Sequence, residues 1–182
     1  MKQPPLGVQL FTFNLLTIGG WGQSATALRD AAKALFGHYY GLQRLMIDPK
    51  NDPPDSQTKA VGRVILMLAG LAIENLAKGL WILENGGTLI SGQLPEELMT
   101  HIKTNRFLKD AKVSLTDRER ALVTKLKPFV VWEGKYPVPT TVKKLTFNVF
   151  QTDDFDRFTK LFDRLKALLD ERLKVALSKT DA

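Results

Sequence analysis

Two oppositely charged side chains, Glu74 and Lys78, interrupt the most apolar part of the chain, "LAIENLAKGLWILENGG" at residues 71–87. On a helix they are four residues apart with the acid on the N-terminal side, so their charges can meet one turn apart. Arg63 precedes Glu74 by eleven residues, about three helical turns, so it lies on the same stripe of the helix surface as these two residues. A lone charge in a packed core costs several kcal/mol, whereas a pair at the edge of a core is tolerated. We therefore expect the stripe at a rim or cleft, either as a polar edge that fixes helix register or as one wall of a ligand pocket.

A second group of side chains has the chemistry to bind a nucleotide or an RNA strand. Trp132 and Tyr136 offer aromatic faces for stacking, and Arg106 and Lys135 offer positive charge for phosphates. Aromatic residues beside Pro and Gly also anchor loops onto a core. Both interpretations of this group stay open.

The sequence gives no support to other kinds of chemistry. Two separated histidines and no Cys leave no metal-ligand pattern, no thiolate nucleophile and no disulfide framework. No GxxxxGK[ST] phosphate loop occurs, and Ser24 and Ser91 have no nearby His and acidic partners. We predict no catalytic residue, no metal and no cofactor.

Length and composition are those of one globular domain. The 182 residues are 44% hydrophobic and 25% charged, which is enough for a sizeable core. Residues 101–182 hold 18 basic and 11 acidic side chains, against 8 and 8 in residues 1–100, so the net charge of +7 belongs to the second part. That part favours an anionic partner, although alternating charges also suit solvated helix faces. The absence of Cys and a poor signal peptide at the start predict a cytoplasmic protein.

Helical spacing over most of the chain predicts an all-α, up-and-down bundle of about five helices. The first begins at Ser24 as N-cap and ends before the prolines of "DPKNDPPDSQ". A second runs from about residue 56 to 83, and a third begins at Pro95. A fourth follows a capping box of Thr116 and Glu119 and bends or ends near Pro128, and a fifth closes the chain.

The segments outside these helices are predicted to be extended or in loops. They are an N-terminal extended segment at residues 1–23, with a turn at the glycines of "GGWGQS", and a long connection at residues 136–152. The echo between "LFTFNLL" at 10–16 and "LTFNVF" at 145–150 suggests a pair of strands. We assign residues 1–182 to a single domain.

The apolar run at residues 61–83 approaches the length of a membrane span. Its charged and amide side chains, Arg63, Glu74, Asn75 and Lys78, would each be costly in hydrocarbon. We therefore predict a buried helix of a soluble protein, with no membrane partner.

Two stretches of the sequence carry a family resemblance. "AIENLAKGL" resembles the alanine, glutamate and lysine pattern of a long helix in HEPN domains (higher eukaryotes and prokaryotes nucleotide-binding). "NRFLKDAKVSLTDRERALVTKLKPFVVWEGKYPVP" is similar to the later part of that domain, in which a His-x-Leu helix leads to a Trp, Gly, Arg-Tyr-Pro segment. The resemblance covers roughly residues 24–175, with Asn105 at the position of the family's His and Lys135 at that of its Arg.

The resemblance implies a homodimeric helical bundle that either cleaves RNA or binds nucleotides, RNA or a protein partner such as a nucleotidyltransferase encoded nearby. The catalytic version has an Arg followed four to six residues later by a His, and neither His38 nor His101 has such an Arg. We therefore expect a non-catalytic binding or interaction module. The alternative is a metal-independent, toxin-like ribonuclease of a toxin-antitoxin pair, in which Lys33, His38 or Arg106 takes part. The predicted ligand cleft comprises Arg63, Glu74, Lys78, Asn105, Arg106, Trp132, Lys135 and Tyr136.

Overall fold

Helix α2 (Asp55–Asn85), which contains the long apolar run of residues 61–83, lies at the centre of the computed structural model, which describes residues 6–45, 55–85, 96–101, 103–133 and 152–179. Four further helices pack against it. They are α1 (Leu6–Leu45), α3 (Thr104–Asp110), α4 (Asp117–Pro128) and α5 (Thr152–Ser178). These described ranges contain no strand. The prediction of an all-α bundle of about five helices is confirmed, and α2 is only slightly longer than predicted.

The first helix begins much earlier than the sequence suggested. The prediction of an extended segment over residues 1–23 is wrong from Leu6 onward, and Ser24 lies inside α1 instead of capping it. Residues 10–16 are helical too, so they form no strand, and their suggested partner at 145–150 lies outside the described residues. The physical reason is an apolar repeat that continues on both sides of Ser24. Its buried members follow at steps of seven residues: Ile18, Ala25, Ala32 and Tyr39.

Glycines bring three helices close together at Leu169 of α5. A Cβ added at Gly22 of α1 would stand 3.3 Å from Leu169 Cδ2, and one added at Gly79 of α2 would stand 3.2 Å from Leu169 Cδ1. Both distances are shorter than an ordinary van der Waals contact. The absence of a Cβ atom at these two glycines therefore leaves the space that the Leu169 side chain occupies. Gly22 therefore serves helix packing, and the predicted turn at "GGWGQS" is absent because α1 runs through it.

The predicted third helix is broken into two short pieces. A 3₁₀ turn spans Glu96–Met99, and α3 begins only at Thr104. Leu98 and Phe107 are both buried, yet nine residues on one continuous α-helix would place them on opposite faces. The break lets both side chains reach the core, and it leaves His101 in the link between the two pieces.

The start of α4 has the predicted capping box. Thr116 Oγ1 accepts a hydrogen bond from the Glu119 N–H at 3.3 Å, and Glu119 Oε2 accepts one from the Thr116 N–H at 2.8 Å. Arg164 of α5 donates to Glu119 Oε1 at 2.9 Å, which joins the two helices. Burial raises the pKa of Glu119, but the hydrogen bonds from Thr116 and the charge of Arg164 together hold it below its ordinary value.

The α-helical pattern of α4 ends at Pro128, as predicted, and a π-helical turn follows at Phe129–Glu133. The predicted extended connection at residues 136–152 lies outside the described residues, except that Thr152 is already the first residue of α5. Helix α5 closes the core with an aromatic row, in which Phe155 stacks on Phe36 of α1 with ring centroids 4.2 Å apart.

Residues Ala60–Asn85 of α2 are long and apolar enough to cross a membrane, judged by length and composition alone. In the bundle 56% of the most apolar stretch is buried against other elements. The core helix of a soluble protein passes the same test, so the cytoplasmic location stays a prediction.

Candidate functional site

Glu74 and Lys78 form the predicted ion pair, but they lie deeper than predicted. Lys78 Nζ stands 2.6 Å from Glu74 Oε1, and the two residues are 3% and 2% exposed. The expected position at a rim is therefore wrong. The lysine also lies over the ring of Trp21 from α1, with Nζ 5.5 Å from the ring centroid. The carboxylate and the indole face together offset the cost of burying the ammonium group.

His101 is the second partner of Glu74. Its Nδ1 lies 3.0 Å from Glu74 Oε1, and its side chain is 44% exposed, so the ring runs from the core to the surface. A carboxylate only accepts hydrogen bonds, so Nδ1 carries the proton. Nε2 has no hydrogen-bond partner within the part of the chain that the structure describes. Glu74 thus fixes the ring with one nitrogen left for another molecule.

The carboxylate of Glu74 is only half satisfied. Its Oε1 receives both Lys78 and His101, whereas Oε2 is buried without a hydrogen-bond partner among the described residues. An unpaired buried carboxylate oxygen is costly. The ammonium group of Lys78 and the hydrogen bond from His101 offset this cost.

A narrow crevice opens beside His101. It encloses about 10 Å³, roughly the space of one water molecule, so it admits a single ligand oxygen at its mouth and not a sugar or a base. Apolar side chains form its floor, and its polar lining comes from the link, α3 and the end of α4: His101, Thr104 and Lys127.

The mouth of the crevice carries positive charge. Lys127 is exposed in the last turn of α4, and no ion pair is made to it within the described ranges. Lys103 stands directly before Thr104 and is likewise unpaired there. Lys78 balances the charge of Glu74 inside the bundle, so Lys127 supplies the positive charge among the residues that line the crevice.

Three other predicted cleft residues have described side chains, and the printed contacts of Asn105 and Arg106 are made to residues other than Glu74. Arg63 is exposed and precedes Glu74 by eleven residues, about 16 Å along α2. Asn105 of α3 points its Nδ2 at Thr124 Oγ1, at a long 3.5 Å, and its buried Oδ1 has no hydrogen-bond partner among the described residues. Arg106 is exposed and pairs with Asp110 on its own helix.

The aromatic side chains of the predicted cleft lie outside the part of the chain that the structure describes. Trp132 has its backbone in the π-helical turn, but its side chain lies outside the described part. Lys135 and Tyr136 lie outside the described residues altogether. Their predicted role in stacking stays a prediction.

The residues suggested for a ribonuclease on α1 do not share a face. Lys33 and His38 are both exposed, and five residues on a helix turn them about 140° apart. Sequence reasoning missed His101, Thr104 and Lys127, because no local spacing links α2, the link before α3 and the end of α4. The one available signal was that His101 is one of only two histidines in the chain.

No protein-family model, no curated protein and no solved structure matches the chain. The resemblance to HEPN domains accordingly stays a prediction that rests on the motifs quoted above. Among the described residues no group of three or more His, Asp or Glu side chains is placed to hold a metal ion. We therefore infer a function from the geometry around Glu74, His101 and Lys127.

Proposed function

We propose that the protein is a HEPN-like, non-catalytic binding module that holds single-stranded RNA, with one phosphate at the crevice beside His101. The observation that carries the proposal is the contact between Glu74 Oε1 and His101 Nδ1, which fixes a half-exposed imidazole next to Lys127, a side chain with no ion pair among the described residues. In its protonated form this ring donates Nε2–H to a phosphate oxygen while Nδ1–H stays on Glu74. Lys127 supplies a second positive charge.

The size of the crevice favours a strand over a free nucleotide. With room for one oxygen, it grips a phosphate and leaves base and sugar on the surface. A mononucleotide then gains only one phosphate contact, whereas an RNA strand has further phosphates that can contact neighbouring positively charged side chains. Residues 101–133 carry eight basic and four acidic side chains, which suits a strand's repeated negative charge.

Fluorescence anisotropy with a short labelled single-stranded RNA tests the proposal. His101→Ala and Lys127→Ala should each weaken binding about tenfold, because each removes a charge-assisted hydrogen bond. Lys109→Ala is the matched control: Lys109 is exposed on α3 but does not line the crevice. AMP and ATP should compete poorly. RNA binding that is absent, or that Lys109→Ala weakens as much as Lys127→Ala does, would refute the proposal.

The same contact supports a second candidate, RNA cleavage. Neutral His101 with Nδ1–H on Glu74 keeps a lone pair on Nε2, which is the arrangement of a general base. Incubating labelled RNA with the protein, with His101→Ala and with His38→Ala distinguishes the two. Cleavage lost only in His101→Ala would make the protein an enzyme and overturn the non-catalytic proposal.

The resemblance also supports a protein partner, such as a nucleotidyltransferase, and we keep that partner as part of the proposal. Co-expression with the product of a neighbouring gene, followed by size-exclusion chromatography, tests it. Co-elution at a defined ratio is the expected result. Separate elution of two folded proteins would remove the partner from the proposal.

A further inference from the structure

The polar side chains that line the crevice beside His101 can all donate hydrogen bonds. They are the imidazole of His101, the hydroxyl of Thr104 and the ammonium group of Lys127. Among the described residues that line the crevice none is acidic, and the Thr104 hydroxyl makes no hydrogen bond within the described ranges. One small space therefore has three donors on its walls, two of which are positively charged once the imidazole is protonated.

This set of donors matches one kind of RNA phosphate better than another. A phosphate monoester at the end of a strand has three free oxygens and a charge of about −1.5 to −2 at neutral pH. A phosphodiester inside the strand has two free oxygens and a single negative charge. Three donors that carry two positive charges are therefore fully used only by a terminal phosphate.

The size of the crevice acts in the same direction. It encloses about 10 Å³, so it admits one oxygen and no more. A terminal phosphate is attached to a single sugar, and it can point a free oxygen inward while that sugar stays outside. A phosphodiester carries a sugar on each of two oxygens, and both sugars must clear the walls of the crevice. The narrow opening therefore favours the end of a strand.

The charge of the ligand also acts on the imidazole ring. Glu74 Oε1 lies 3.0 Å from the protonated Nδ1 of His101, so a second proton goes to Nε2. A nearby negative charge favours the protonated ring, and a doubly charged phosphate does so about twice as strongly as a singly charged one at the same distance. The positive charges of Lys78 and Lys127 act against that proton, which makes the second charge of the ligand matter.

We infer that the crevice binds the terminal phosphate monoester of a single-stranded RNA, at its 5′ or its 3′ end. The inference rests on the proposed function and names the part of the RNA that the site recognises. The three donors bind the phosphate, and the rest of the strand lies on the surface outside the crevice. A mononucleotide has the same phosphate but lacks the rest of the strand, so AMP remains a weak competitor.

Fluorescence anisotropy on one RNA sequence with different ends tests the inference. Four short strands carry the dye at one end and either a phosphate or a hydroxyl at the other, so that the 5′ and 3′ ends are tested separately. At one of these ends the phosphate should tighten binding about tenfold, because it adds charge-assisted hydrogen bonds. A fifth strand has that phosphate as its methyl ester, which removes one free oxygen and one charge, and it should lose most of the gain.

Variants of the protein then assign the gain to the crevice. His101→Ala and Lys127→Ala should each reduce the preference for the phosphate end to about twofold or less. Thr104→Val, which removes the hydroxyl at nearly the same shape, should reduce the preference about threefold. Lys109→Ala is the matched control, since Lys109 is exposed but does not line the crevice, and it should keep the full preference.

The outcomes separate this inference from the proposed function. Equal affinity for phosphate and hydroxyl ends, a methyl ester that binds as well as the free phosphate, or a preference that survives both alanine substitutions would overturn the inference and leave RNA binding in place. Absence of binding by every strand would overturn both. Unchanged far-UV circular dichroism of the variants keeps these outcomes free of unfolding.

Discussion

Removing one partner of the buried ion pair is the most informative perturbation of this fold. Lys78→Met would leave the Glu74 carboxylate, 2% exposed, with only His101 as a hydrogen-bond partner. Breaking a buried pair in this way costs about 3–5 kcal/mol. Loss of the ammonium over the Trp21 ring adds about 0.5–2 kcal/mol. Because His101 can still compensate in part, we expect a loss of about 3 kcal/mol in the free energy of unfolding.

Replacing both partners should behave differently. Glu74→Met/Lys78→Met removes both charges and fills the space with apolar side chains, and such replacements are often neutral or stabilising. We expect the free energy of unfolding of this double variant to lie within about 1 kcal/mol of that of the unchanged protein. The effects of the two single substitutions should then differ from additivity by more than about 2 kcal/mol. It should nevertheless bind RNA weakly, because His101 has lost the carboxylate that orients it. This variant would then keep the stability of the fold while losing affinity for RNA.

Urea denaturation followed by far-UV circular dichroism measures these free energies. The matched control is Arg106→Met, which breaks an exposed pair with the same four-residue spacing, Arg106 with Asp110, and should cost no more than about 1 kcal/mol. The reasoning is refuted if Lys78→Met costs as little as the control. It is also refuted if the double variant is no more stable than the less stable of the two single variants, Glu74→Met and Lys78→Met.

Four further substitutions test the packing and the capping box, all by denaturation. Gly70→Ala should destabilise by about 1–3 kcal/mol, because its Cβ would come well under 3.0 Å from Val130; Gly37→Ala, in open space, should instead gain up to about 1 kcal/mol. Equal effects at the two glycines would contradict the close approach. Leu169→Ala should cost about 2–5 kcal/mol, and a smaller loss would mean that the three helices do not meet at Leu169. The pKa of Glu119 is lower in the folded state, so its contribution is present above its unfolded pKa and is lost as pH falls through the folded value. Glu119→Gln should therefore destabilise at neutral pH and flatten the decline of stability in acid; an unchanged acid profile would count against the capping box.

Local rules were sufficient for much of the architecture. Apolar periodicity located α2 and α5, the Thr116 and Glu119 capping box located α4, and the four-residue spacing paired Glu74 with Lys78. Each of these features depends on residues within a turn or two of one another. A single sequence carries that information directly.

The features that the sequence did not reveal depend on distant neighbours. Glu74 and Lys78 are buried because Trp21 of α1 and the link that carries His101 cover them, and no spacing within α2 indicates that cover. The start of α1 was misplaced because Ser24 has the chemistry of an N-cap, while the apolar repeat that continues through it is held by contacts with other helices. The crevice is assembled from three separate elements, so its polar lining could not be read from any one of them.

Long-range proton–nitrogen NMR of the imidazole rings tests the central claim most directly, since the chain has only two histidines. In nitrogen-15-labelled protein, with His101→Gln to assign the signals, we predict that His101 carries its proton on Nδ1. Adding single-stranded RNA should then shift the His101 Nε2 signal and leave His38 unmoved. A proton on His101 Nε2 alone, or RNA that shifts only His38, would contradict the account.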